Sequence, residues 1–308
     1  MTDRFDMFLH QEFSFLLHVG IPHMNYAVEN LPHLDVHTHS LPETSCFYFW
    51  SKNHHDDLEL EQFAHTAPCG KKIYVEPANS GQMANYWNAV GVGYHDYYKH
   101  DTEMQRVSFP DFKSHFSKLA KECGMNEMFD KPLVVINNKY SKEHGLNPVN
   151  VIDNDCISKI YNEFKDTHTI IYFRPESSTK GYVQDDNLIM EWNDKHLIKE
   201  NHHEMIVDTD LFVQYPHLNY NELQCMMHSL SDIHFSTPGG NAIIASYFGG
   251  VNIIIGAMAS EQKGYWGDRS IWKTDSKLKD ISGAKIVGMG VDAFLECTES
   301  EWESWFEH

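Results

Sequence analysis

SDIHFSTPGGNAIIASYFGGVNIII, Ser231 to Ile255, is the stretch that decides the fold. It parses into strand, tight turn, helix, tight turn, strand. Ile233 to Ser236 is short and apolar, and Thr237-Pro238-Gly239-Gly240 breaks it. Asn241 to Phe248 carries Ala, Ile and aromatic residues at helical spacing, and Gly249-Gly250 ends that helix. Val251 to Ile255 is a nearly continuous β-branched run, as expected of a strand buried on both faces. A glycine pair at a helix start lets a ligand come close to the backbone. The first free N–H groups there, with the positive end of the helix dipole, suit an anion such as a diphosphate. Their contribution is about 0.3–1 kcal/mol for an exposed charge and up to ~2 when partly buried. The same turn also suits a helix that merely packs on a sheet, so spacing alone leaves both readings open.

Working outward, the alternation is clear from about Lys131. Pro132 to Ile136 (PLVVI) reads as a buried strand. Asp153 can cap a helix whose Ile157, Ile160, Tyr161 and Phe164 fall at i, i+3, i+4 and i+7. Thr169 to Phe173 (TIIYF) is the next strand and runs into Arg174-Pro175, and Glu204 to Val207 is a short further one. Asn221 is expected to cap a helix with Leu223, Met226, Met227 and Leu230 on one face. Strands alternating with helices of this length predict a right-handed parallel α/β sheet. Thr298 to His308 predicts a closing acidic helix packed on the body through Trp302, Trp305 and Phe306.

Residues 1 to about 128 are less periodic. Phe13 to Val19 reads either as a strand or as part of a helix beginning near Asp6. Cys46 to Trp50 (CFYFW) and Lys72 to Val75 (KIYV) are strand-like. Glu76 to Gly81 reads as a loop opening a helix through Gln82 to Asn88, and Ser114 to Cys123 as a helix.

At 308 residues the chain is long enough for two domains with their own cores. A net charge of -20 disfavours nucleic-acid backbones and anionic membranes as partners. No apolar run approaches the ~18 residues of a membrane span. MTDRFDMFLHQEF lacks the basic flank and apolar core of a signal peptide. The six cysteines, without a C-x-x-C pair, are therefore expected to be reduced thiols in a cytoplasmic protein.

In open parallel sheets, ligands bind beyond the carboxyl ends of the strands, where strand order switches. That rule selects Asn137, Asn138 and Lys139 after PLVVI, Arg174 after TIIYF, and Thr237, Gly239, Gly240 and Asn241 after IHFS. One Lys, one Arg and a helix start converging on a cleft make an anion site, the Arg gripping phosphate with two parallel bonds.

KPLVVINNKY, THTIIYFRPE and the opening stretch together resemble the nucleotide-binding half of B-type glycosyltransferases. They stand closest to poorly characterised microbial and large-virus sequences of that kind. The resemblance covers roughly Lys131 to Gly256. It implies two Rossmann-like domains facing across a cleft, an acceptor-side domain over 1–128 and a nucleotide-sugar-binding domain over 129–308. The partners it implies are a nucleotide-sugar donor and a glycan or other hydroxyl acceptor, with no cofactor and no metal. The donor diphosphate would lie against Gly239-Gly240. Pro238 stands where that pattern has Gln; it lacks an N–H, so contact falls to Thr237, Gly240 or Asn241. An inverting transfer needs a base for the acceptor hydroxyl. The candidates are Glu76, after KIYV, and His18 and His23, which flank Gly20.

Leu34 to Ser40 (LDVHTHS) carries a rival reading. His37 and His39 resemble the His-x-His metal motif of amidohydrolase and polymerase-and-histidinol-phosphatase-type hydrolases, whose alternate strand residues reach one divalent ion. Lying between Pro32 and Pro42, the segment reads as a turn-rich connection, and Lys52 to Asp57 (KNHHDD) as an exposed loop.

Overall fold

The computed structural model describes residues 3–10, 16–17, 21–30, 32, 34–40, 42–57, 74–77, 108–142, 148, 150–179, 188–257 and 283–306. The chain divides into two compact units, Met1–Pro110 with Gly181–Asp186, and Asp111–Lys180 with Asn187–His308.

The first unit holds a four-stranded sheet in the order β3-β2-β1-β4. Its elements are β1 (Asp3–His10), α1 (Ile21–Asn30), β2 (Leu34–His39), β3 (His54–His55) and β4 (Tyr74–Pro77). β1, β2 and β3 run parallel, and β4 is antiparallel to β1. Three expectations are corrected here. The segment between Pro32 and Pro42 is a strand rather than a connection, and His54-His55 is an edge strand rather than loop. CFYFW falls within a 3-10 helix, Pro42–Tyr48, and the turn after it. Its aromatic residues suit a strand, but Phe47 and Tyr48 are buried from a helical turn that Pro42 can begin. Most of Phe13 to Val19, and all of Gln82 to Asn88, lie outside the described residues.

The second unit begins with α2 (Phe112–Glu122), whose N-cap Asp111 accepts from the Ser114 amide. Its parallel strands are β5 (Leu133–Asn137), β7 (Thr169–Phe173), β9 (Ile206–Val207), β10 (Ser231–Ser236), β11 (Val251–Ile255) and β12 (Lys285–Met289). A separate antiparallel pair joins β6 (Ser141–Lys142) to β8 (Leu188–Ile189). The helices are α3 (Asn154–Phe164), α4 (Asp194–Asn201), α5 (Asp208–Gln214), α6 (Tyr220–Ser229), α7 (Gly240–Ser246), α8 (Val291–Glu296) and α9 (Glu299–Phe306).

The large sheet runs β12-β11-β10-β5-β7-β9. Counted within the unit this is the order 3-2-1-4-5-6 read from the other edge, the doubly wound arrangement, and its switch point lies between β5 and β10. β5 and β11 are buried at every position, which is why both read as mainly apolar runs, with Asn137 and Asn252 as buried polar exceptions. Val134, Ile136, Ile170, Tyr172, Phe235 and Ile253 bury one sheet face against α3, α8 and Trp302 of α9. The other face carries His234, Ser236 and Asn252. Buried Asn252 is fully used: it accepts from Ser236 Oγ at 2.7 Å and donates to Ala242 O and Ser246 Oγ at 2.9 Å each. It thereby ties β10 and β11 to α7.

The N-cap of α6 is Asn219, not Asn221. Asn219 and Glu222 exchange side-chain-to-backbone bonds in a capping box, leaving Asn221 inside the helix and buried. Among the described residues, no helix is long and apolar enough to cross a membrane.

Candidate functional site

β5 and β10 pair in parallel, with Asn137 opposite Ser236, so the segments that follow them leave the sheet side by side. The Thr237 amide donates to Asn137 O at 3.1 Å. Asn241 Nδ2 then donates to Asn138 O at 3.2 Å and Thr237 Oγ1 at 3.1 Å. These bonds close the turn between β10 and α7 onto the end of β5. Gly239 has φ +103, a conformation L side chains rarely adopt, and a Cβ there would stand 3.3 Å from Lys139 Nζ. Pro238 is buried, and a Cβ on Gly256 would meet its Cδ at 2.8 Å. The proline is therefore a packing residue between this turn and the end of β11. Thr237, Asn137, Asn138 and Asn241 are buried, whereas Lys139, Gly239 and Gly240 are half-buried and form the accessible part of the site. α7 has seven residues, a short helix whose dipole is correspondingly modest.

Two strand-end residues expected at the anion site are engaged elsewhere. Asn138 is a bracket: its Oδ1 accepts from the Ile152 and Lys139 amides, and its Nδ2 donates to Ile152 O and Tyr172 Oη. Arg174 is 0% exposed. Its Nε and one terminal nitrogen each reach Asp194 at 2.6 Å, and its remaining bonds go to the Trp192 and Pro175 carbonyls. A phosphate could reach this guanidinium only by displacing Asp194. Burial pulls the Arg174 pKa down, but the hydrogen bond and charge of Asp194 outweigh it and leave it raised. Tyr172 Oη also donates to Asp194, and burial first, then that carboxylate, raises the phenol well above its ordinary value.

Beside this pair, Lys195 Nζ lies 2.7 Å from Asp208 and 3.2 Å from Glu176. Burial of Asp208 raises its carboxyl pKa despite the opposing pull of Lys195. Glu176 also stands 3.5 Å from Arg174, so five charges close over the ends of β7 and β9. Asp194, Lys195 and Asp208 were not singled out from sequence. Their only signal was charge at helix starts, Asp194 in α4 and Asp208 in α5, which usually marks solvated first turns.

Behind β5 lies a buried polar chain. Asn137 Nδ2 is 3.4 Å from His228 Nε2, and His228 Nδ1 is 3.1 Å from His234 Nδ1. Burial lowers both imidazoles; the His234 ring lowers His228 further, and the Lys113 ammonium helps hold His234 at about 3. Asn137 Oδ1 and both polar atoms of Gln224 are buried without a hydrogen-bond partner among the described residues. Gln224 stands one turn before His228 on α6, and Tyr220 one turn earlier packs edge-on against Phe173. Tyr220, Gln224 and His228 fall at i, i+4 and i+8 on α6, and all three are buried.

In the first unit, Asp35, His37 and His39 alternate along β2 beside His55 and Asp57. His37 Nδ1 is 2.9 Å from His55 Nε2, and the His55 ring stacks on His39 at 4.7 Å. Asp57 accepts from His39 Nδ1 at 2.8 Å, and Asp35 stands 3.4 Å from His37 Nε2. Among the described residues no group of three or more His, Cys, Asp or Glu is arranged to hold a metal ion. Of the base candidates, His18 lies outside the described residues. His23 is on α1 and Glu76 on β4, where Glu76 pairs with Phe8 and Phe8 with His39; the side chains of His23 and Glu76 are outside what the structure describes.

No family model matches the chain, and neither a curated protein nor a solved structure matches it.

Proposed function

We propose that the chain is a glycosyltransferase of B-type architecture, with two Rossmann-like domains facing across a cleft. It moves a sugar from a nucleotide-sugar donor to a glycan or other hydroxyl acceptor without a metal. The observation that carries this reading is Lys139 standing against the side-chain-free face of Gly239 at the switch point of a doubly wound sheet. In this reading the ammonium beside Gly239 supplies the countercharge of a donor phosphate.

In this reading Lys139 and the amides of Gly240 and Asn241 stabilise the charge that develops on the departing diphosphate, the largest electrostatic demand of the reaction. Thr237, Asn137 and Asn241 hold the turn in place through the bonds between β5 and β10. Arg174 and Asn138 act as positioning residues that fix the neighbouring strand ends. Glu76, His23 and His18 remain the proposed sources of the acceptor base, all in the first unit. Ligand-observed NMR with uridine, guanosine and cytidine sugar nucleotides tests the reading. Saturation transfer from at least one donor, lost in Lys139→Ala, is the expected result. Absence of contact with all three classes removes the reading.

The rival, a metal-dependent hydrolase, has one observation in its favour, the 2.9 Å approach of His37 and His55 nitrogens with carboxylates behind. Stoichiometric zinc or manganese in purified protein, with phosphoester or amide hydrolysis, would support it over the transferase.

A further inference from the structure

We propose that Ser158 and His202 form a nucleophile–base pair in a pocket between α3 and α4, suited to small uncharged acyl esters. The pocket has a volume of about 290 Å³ and is lined by both of these residues together with Asn154, Ile157, Leu197 and Ile198. It belongs to the helical layer, and neither Lys139 nor Gly239 lines it. The proposal therefore stands or falls separately from the transferase reading.

Ser158 Oγ lies 3.0 Å from His202 Nε2, within the reach a base needs to take a hydroxyl proton. The hydroxyl bonds across to a second segment of chain rather than only to its own helix. Tyr161, one turn further along α3, lies against the His202 ring with centroids 4.4 Å apart and fixes its tilt. Burial lowers the His202 pKa below its ordinary value of 6.5, which outweighs the Asn201 backbone acting the other way, so the ring is neutral and able to accept at neutral pH. Asn154 precedes Ser158 by one turn and shares its helix face. Asn154 also lines the pocket, and its carboxamide is the side-chain N–H donor assigned here to a carbonyl oxygen gaining negative charge. Ile157, Ile198 and Leu197 make the walls apolar, and the polar lining is uncharged, which selects neutral, short acyl groups over charged ones.

The step balances without a further reactant. Ser158 Oγ bonds to the ester carbonyl carbon as its proton passes to His202 Nε2. The carbon–alkoxide bond then breaks, and the alkoxide leaves with that proton as an alcohol. Water, deprotonated by the same imidazole, releases the acid and restores the serine.

The test is diisopropyl fluorophosphate added to the full chain, followed by peptide mass spectrometry. Here Ser158 displaces fluoride from phosphorus and keeps the diisopropyl phosphoryl group. The expected result is an adduct on Ser158, absent in Ser158→Ala and formed roughly 100-fold more slowly in His202→Gln, the scale of a lost general base. Labelling of Ser158 at an unchanged rate in His202→Gln overturns the proposal, as does labelling confined to other residues. Circular dichroism checks the fold of each variant. If His202→Gln does not fold, the wild-type chain still decides: folded protein that takes up no label at Ser158 overturns the proposal.

Discussion

Lys139 Nζ stands 3.3 Å from the point a side chain on Gly239 would first occupy, although 100 residues of sequence separate the two strand ends. The contact ties the chemistry of the site to a backbone conformation, φ +103, that glycine alone adopts without strain.

Replacing Lys139 with Ala is expected to weaken nucleoside-diphosphate binding about 10-fold or more, the scale of a charge-assisted bond. Stability should stay within ~0.5 kcal/mol, because the residue is half-buried at the strand end. Titration calorimetry that finds equal affinity takes Lys139 out of the site.

Arg174→Ala should act oppositely. It leaves Asp194 buried with no cation in contact, a loss of about 3–5 kcal/mol for a broken buried pair. Urea unfolding measures it, and a change below ~1 kcal/mol would contradict the structural role given to the pair.

Two glycines are expected to rank by what their missing side chains would strike. Gly239→Ala forces a strained φ and nudges a flexible ammonium, roughly 1–3 kcal/mol. Gly250→Ala forces a φ of +67 as well and drives Cβ to 2.2 Å from the Asp232 carbonyl oxygen, which is backbone and cannot swing aside. The second must therefore be the more damaging. Equal melting temperatures for the two variants would refute that ordering.

Acid should weaken the second unit through its buried histidines. His234 is held at about 3 against an ordinary 6.5, so between these values the unfolded chain binds a proton that the folded one refuses. Stability is greatest above pH 6.5 and falls as pH drops through that window, by up to about 1.4 kcal/mol per pH unit for each such histidine. His228 shifts in the same direction. Comparing wild type with His234→Gln cancels unrelated groups such as Asp208, and the variant's stability should depend less steeply on pH from 6.5 to 4. Parallel curves would show that His234 does not carry the effect.

Local physics made much of the second unit readable. TIIYF and VNIII became β7 and β11 with the expected limits because burial on both faces favours apolar residues, Asn252 being tolerated where its hydrogen bonds are all met. Asp153 caps α3 as expected because its partner, the Cys156 amide, lies three residues away. The misreading at Asn221 had a local cause too: Asn219 and Glu222 formed the stronger cap two residues earlier. The fate of Arg174 was different in kind. A strand-end arginine looks the same in sequence whether it faces a cleft or a carboxylate, and Asp194 arrives from a helix 20 residues on. In the first unit, histidine spacing suggested shared sheet geometry, but the flanking prolines hid the strand that provides it. The juxtaposition of Lys139 with Gly239 was foreseeable from the strand-end rule, whereas the buried Gln224 row needed the helix-to-sheet packing to be seen.

Lys159 on α3 donates to the carbonyls of Phe294, Leu295 and Cys297, partners up to 138 positions away that finish α8. Such a clasp closes a long loop, so its entropic cost is met only once α3 and the end of α8 are both in place. Contacts at this separation are expected to slow refolding of the second unit.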